Sequence, residues 1–199
     1  MKPLSQLPPR PDFETIEAAA RDAGATAARG DVFTLIGQLS FSWSNNESLL
    51  VYFIMLLLGC DREAALIVFG TLNTSRARVD LVQRLARVKL TDRALSGEIK
   101  RLMTRFDTGT RLRNDLLHAM FTVDPAGRIT HTHAMRLEER AKGLRFGAAK
   151  SMDGERLEAI RGEIRAMNEL NRDLWTFLPR LEASLRAGPR GRSREDGGA

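Results

Sequence analysis

The chain has 199 residues, enough for one well-buried domain and few for two. Hydrophobic residues at 43% and charged residues at 28% are the balance of an ordinary soluble protein, and the most apolar run, Leu49 to Gly59, is too short to cross a bilayer. A lone cysteine, Cys60, excludes an intrachain disulfide and is expected as a small buried hydrophobe in a reducing compartment, so a cytoplasmic protein is expected.

The net charge of +6 is unevenly spread. Residues 1–75 carry 5 basic and 8 acidic side chains, whereas residues 76–113 carry 11 basic and only 4 acidic. The remainder is nearly balanced, with 15 against 13. A positive field over the middle segment attracts polyanions. The plainer reading is arginines on the solvated faces of two helices.

Residues 1–30 read as a leader with prolines at positions 3, 8, 9 and 11 and no signal-peptide pattern. A short helix from Phe13 to Ala28, ended by Gly30, is expected to be mobile or loosely docked. Asp31 is a plausible N-cap for a long helix whose apolar stripe runs Leu35, Leu39, Trp43, Leu50, Phe53 and Leu57. Asn46 breaks the stripe, with Glu47 beside it. A polar group there needs a partner; it either fixes helix register as a satisfied amide or lines a polar site.

Asp61 caps a shorter helix, Arg62 to Phe69, which Gly70 stops; Thr74 and Ser75 cap the next, with Val79, Val82 and Leu85 inward. Asp92 opens a central helix with Leu95, Ile99, Leu102, Phe106, Leu112, Leu116 and Met120 as its stripe and Gly109 as a weak point. On such a helix Asn114 and His118 share a face and Arg111 lies nearly in line with the histidine, while Arg113 sits about 140° away around the axis. A neighbouring turn or a second copy of the chain is needed to bring Arg113 to His118.

Phe121 to Val123 and Ile129 to His133 flank Asp124-Pro125-Ala126-Gly127, a hairpin signal. His131 and His133 alternate onto one strand face, but no carboxylate or cysteine accompanies them, and no metal is expected. Residues 134–150 read as loop. Ser151 or Asp153 caps a closing helix with Leu157, Ile160, Ile164, Met167, Leu174, Phe177 and Leu181 inward, and Pro179 should kink or fray its end. From residue 187 the tail reads as disordered. The expected fold is all-α: an up-and-down bundle of about five helices with a small β-hairpin insertion.

Arg113-Asn114, three further residues, then His118 resembles the R-polar-x-x-x-H signature of the HEPN superfamily, helical proteins that include metal-independent endoribonucleases. Trp43-Ser44-Asn45-Asn46-Glu47 is similar to a run in the first core helix of many members. Thr74-Ser75-Arg76-Ala77-Arg78-Val79-Asp80 is similar to the start of a later one. The resemblance implies a helical domain over residues 31–186 and a homodimer in which two motif helices face one cleft.

It further implies cleavage of RNA through the 2′-hydroxyl, with Arg113, Asn114 and His118 catalytic and Arg111, Arg76, Arg78, Asn46 and Glu47 on the substrate. A stress or defence role, RNA or nucleotide as ligand and a neutralising, antitoxin-type protein partner go with it; no cofactor and no membrane do. The alternatives are a non-catalytic RNA- or nucleotide-binding module and a dimerisation module. In the plainest case His118 is a helix histidine bonded to a backbone carbonyl and Arg113 a solvated charge.

Overall fold

The computed structural model describes residues 13–21, 23–135, 137–140, 143–146 and 148–187; the remaining leader and tail positions lie outside the described residues. Helices dominate: α1 (Phe13–Ala20), α2 (Ala23–Leu58), α3 (Arg62–Thr71), α4 (Ser75–Lys89), α5 (Arg93–Leu117) and α6 (Gly154–Ala187), with strands β1 (Ala119–Val123), β2 (Ile129–Ala134), β3 (Leu137–Arg140), β4 (Gly143–Phe146) and β5 (Ala149–Ser151) between the last two. Helices with a small antiparallel sheet are what the periodicities predict. No helix among the described residues is long and apolar enough to cross a membrane. The chain forms two compact units, one of Met1–Gly37 with Asp115–Ala159 and the other of Gln38–Asn114 with Ile160–Ala199.

The second unit is the helical bundle. Leu39, Trp43, Leu50, Phe53 and Leu57 of α2 are all buried, as are Ile99, Leu102 and Phe106 of α5 and Ile164, Met167, Leu174, Phe177 and Leu181 of α6. Burying one side of a helix requires apolar residues at alternating steps of three and four, so these stripes are where the sequence puts them. Trp43 stacks with Phe106 and Phe53 with Phe177, each pair 5.9 Å between ring centroids. Asp61 Oδ1 accepts from the Ala64 N–H at 2.7 Å and Thr74 Oγ1 from the Ala77 N–H at 3.1 Å, the two expected caps. Gly59, at φ +66°, ends α2 with its N–H on the Met55 carbonyl.

Helix α5 runs unbroken through Gly109. The glycine has a packing use: a Cβ at that position would lie 2.5 Å from the sulfur and methyl of Met167, so the end of that side chain would have to move to admit one. One expectation fails in this unit: Gly70 does not stop α3, which continues to Thr71. Helix α6 runs eight residues past Pro179 to Ala187. Cys60 is half-buried, not a core residue.

In the first unit, α2 begins at Ala23, so Gly30 and Asp31 are interior helical residues and Asp31 caps nothing. The alanine-rich run from position 23 has the propensity to extend the helix backwards. Arg29 donates to the Gly127 carbonyl at 3.0 Å, which ties this part of the expected leader to the hairpin. The hairpin forms as expected: β1 pairs antiparallel with β2 from Ala119↔Ala134 to Val123↔Ile129, with a bulge after Thr122. Gly127, at φ +81°, donates to the Asp124 carbonyl at 2.8 Å, and Asp124 Oδ1 accepts the Arg128 N–H. These bonds from Arg128 hold the Asp124 carboxyl below its ordinary range.

Residues 134–150 are not a loop. They supply β5, which extends the sheet to the order β1-β2-β5, and the separate β3-β4 hairpin. Lys150 of β5 pairs with Asp115 at 2.6 Å. Asp153 Oδ1 accepts the Arg156 N–H and caps α6, as expected of one of two candidates.

Candidate functional site

Arg113 and Asn114 lie in the last turns of α5, within the bundle unit; His118 falls just past the helix end, in the other unit. The helix stops at Leu117 because the chain turns directly into the sheet: Ala119 opens β1, and the Met135 N–H bonds the His118 carbonyl. Leu116 is fully buried as the stripe predicts, but Met120 is 56% exposed on a strand. The helical-wheel relation of His118 to Arg111, Arg113 and Asn114 therefore does not apply.

Arg113 is the most elaborated of the motif residues. Its guanidinium carbon lies 4.4 Å from the centroid of the Trp43 ring, and Nη1 donates to Asn114 Oδ1 at 2.9 Å. Trp43 is fixed in turn: its Nε1 donates to Thr110 Oγ1 at 2.9 Å. The ring therefore gives the guanidinium a fixed platform, a contact of about 0.5–2 kcal/mol depending on desolvation. Its partners leave donors over. No carboxylate meets this arginine among the described residues, and its buried Nε has no hydrogen-bond partner. Trp43 and Thr110 are the positioning residues that sequence reading missed; the only trace was the tryptophan in the Trp-Ser run, which a core stripe explains equally well.

His118 is exposed, and among the described residues its ring nitrogens bond nothing. The carbonyl-bonded helix histidine is thus not what the structure contains. Arg111 pairs with Asp107 one turn earlier on the exposed face of α5. Arg76 is exposed and has no ion pair or hydrogen bond among the described residues.

The other three residues expected at the substrate are engaged in the fold. Arg78 donates to Glu47 Oε1 at 2.8 Å and to the Phe69 carbonyl at 3.1 Å, with its guanidinium 3.9 Å over the Phe69 ring. Glu47 Oε1 also accepts from Ser75 Oγ at 2.5 Å. Asn46 has no exposed surface; its Nδ2 donates to the Met167 carbonyl and its Oδ1 accepts from Asn171 Nδ2, both at 2.9 Å. Asn46 is thus a buried amide bonded on both its nitrogen and its oxygen, joining α2 to α6.

His133 Nε2 lies 2.8 Å from Thr122 Oγ1, and the His131 and His133 ring centroids are 6.5 Å apart. Among the described residues no group of three or more His, Cys, Asp or Glu is placed to hold a metal. Compared with models of protein families, with curated proteins and with solved structures, the chain finds no match.

Proposed function

We propose that this protein is a metal-independent endoribonuclease in which His118 is the general base and Arg113 the charge clamp. The observation that supports it is the pair of unspent groups in one short stretch: an exposed imidazole with no partner among the described residues, and an arginine anchored on Trp43 with donors to spare. A titratable ring without a structural partner costs the fold nothing to keep and is available to a ligand.

In the proposed step His118 takes the proton of a ribose 2′-hydroxyl, whose oxygen attacks the adjacent phosphorus. The bond from phosphorus to the 5′-oxygen breaks, and that oxygen leaves with a proton from solvent or from the imidazolium. Arg113 stabilises the charge on the phosphoryl oxygens, and Asn114, already bonded to Arg113, keeps the fork oriented. The products are a cyclic phosphate and a 5′-hydroxyl. Arg76, exposed and unpaired among the described residues, is a further contact for the substrate in this reading.

The test is incubation of purified protein with labelled RNA in chelator, His118→Ala beside it. Cleavage to cyclic phosphate ends that falls about a hundredfold or more in the variant is the expected result. Tight RNA binding with no cleavage by the wild type would replace the enzyme reading by a binding module. The homodimer belongs to the same proposal: mixing His118→Ala with Arg113→Ala protomers should restore partial activity if the two residues act across chains.

A further inference from the structure

The bundle unit has a second concentration of unspent donors, between α4 and the start of α5. A cleft of about 260 Å³ opens there, lined by Gln83, Arg87, Arg93, Ser96, Gly97 and Lys100. No carboxylate is in the lining. Among the described residues Arg87, Arg93 and Lys100 carry no ion pair or hydrogen bond through their side chains. Two carboxylates next to these residues in sequence are engaged: Asp92 Oδ1 accepts the Ala94 and Leu95 N–H groups, and Glu98 takes both terminal nitrogens of Arg180 at 2.8 and 3.0 Å.

Three like charges around one concavity repel one another, and a protein wall on one side weakens their screening. An anion seated among them relieves that repulsion. The polar groups of Gln83 and Ser96 add hydrogen bonds suited to phosphoryl oxygens.

Gly97 gives an independent indication. It lies inside a helix, where glycine is unfavourable, yet a Cβ there would meet only a terminal nitrogen of Arg101 at 3.8 Å. Among the described residues no close packing requires the glycine. Its absent side chain leaves that part of the cleft lining bare. No aromatic ring lines the cleft, so it offers no surface for stacking a base and addresses phosphate alone.

We infer that this cleft is a phosphate-binding site that takes consecutive phosphates, from an RNA backbone or from a free polyphosphate chain such as that of a nucleoside triphosphate. Only the RNA source rests on the proposed nuclease function. Lys100 and Arg113 are thirteen residues apart on α5, about 20 Å along the axis and about 140° around it, so the cleft is separate from the surface that carries Arg113.

Calorimetric titration of the full chain with inorganic tripolyphosphate tests the site. One-site, saturable binding is expected, weakened about tenfold or more by Lys100→Gln and by Gly97→Val, and less than about twofold by Arg172→Gln, an exposed charge on α6. Equal weakening by Lys100→Gln and Arg172→Gln would overturn the inference, since net charge alone would then explain it; so would tripolyphosphate binding untouched by Lys100→Gln. Displacement of single-stranded RNA by tripolyphosphate identifies the backbone as the source, and RNA binding undisturbed beside it identifies a free polyphosphate. His118→Ala should bind tripolyphosphate like the wild type, so a failed nuclease reading leaves this result readable.

Discussion

Arg78 and Arg113 are two arginines of the same bundle, each laid over an aromatic ring, and they have opposite fates. Arg78 lies over Phe69 and gives its donors to Glu47 and a backbone carbonyl, with the side chains of the pair only 16% and 13% exposed. Arg113 lies over Trp43 and has a neutral amide, Asn114, as its one hydrogen-bond partner among the described residues. The ring contact alone does not tell a structural arginine from an available one. The carboxylate does: it neutralises the charge, fixes the fork and leaves nothing for a ligand. An arginine stacked but not neutralised keeps its full charge for whatever arrives.

The largest effect that could break this contrast is on stability. Removing one member of a mostly buried pair leaves the other charged and unpartnered, so Glu47→Ala should cost about 2–4 kcal/mol of unfolding free energy. Glu47→Gln should cost less, because its carbonyl can still accept from Arg78 and Ser75. Urea denaturation measures both. A loss under about 1 kcal/mol in the alanine variant would mean that the pair is a surface pair in effect and that Arg78 is as available as Arg113.

Arg113 should show the reverse pattern. Arg113→Ala removes a contact of about 0.5–2 kcal/mol with Trp43, while RNA cleavage should fall about a hundredfold or more, near 2.7 kcal/mol of transition-state stabilisation. Arg113→Lys keeps the charge but loses the flat fork, and should recover little of the rate. Parallel denaturation and single-turnover cleavage separate the two. If stability drops as far as in Glu47→Ala while the rate barely changes, the two arginines are of one kind.

What the sequence disclosed follows the reach of each physical signal. The stripes of α2, α5 and α6 were legible because burial on one side of a helix imposes its period over many residues. Asn46 was legible as an exception to a stripe, but its partners Met167 and Asn171 lie more than a hundred residues on and leave no local trace. The caps at Asp61, Thr74 and Asp153 were legible because capping is local chemistry. The end of α5 was not: no glycine or proline marks Leu117, and the strand that takes over is set by pairing with residues around 134. Strands β3 to β5 were missed for the same reason, since their pairing is a property of the folded sheet. The platform under Arg113 was half legible: Trp43 was visible and its use was not.

Glu163 is the third member of the comparison, a carboxyl that meets no cation among the described residues. It sits half-buried on α6, with Oε1 3.1 Å from where a Cβ on Gly109 would be, and burial alone raises its carboxyl above the ordinary range. A proton is therefore held more tightly in the folded state than in the unfolded chain. The stability this contributes is full at pH below the unfolded glutamate value and is lost as pH rises through the raised folded value. At neutral pH the ionised group is a small net cost, screened by the water that still reaches it. Glu163→Gln should remove that cost and stabilise the protein at pH 7 by a few tenths of a kcal/mol, with the gain shrinking toward zero in acid. Denaturation midpoints at acidic and neutral pH check this. A variant less stable at pH 7 than the wild type would show that Glu163 has found a partner in solution, and that an unanswered charge in this bundle is rarer than Arg113 suggests.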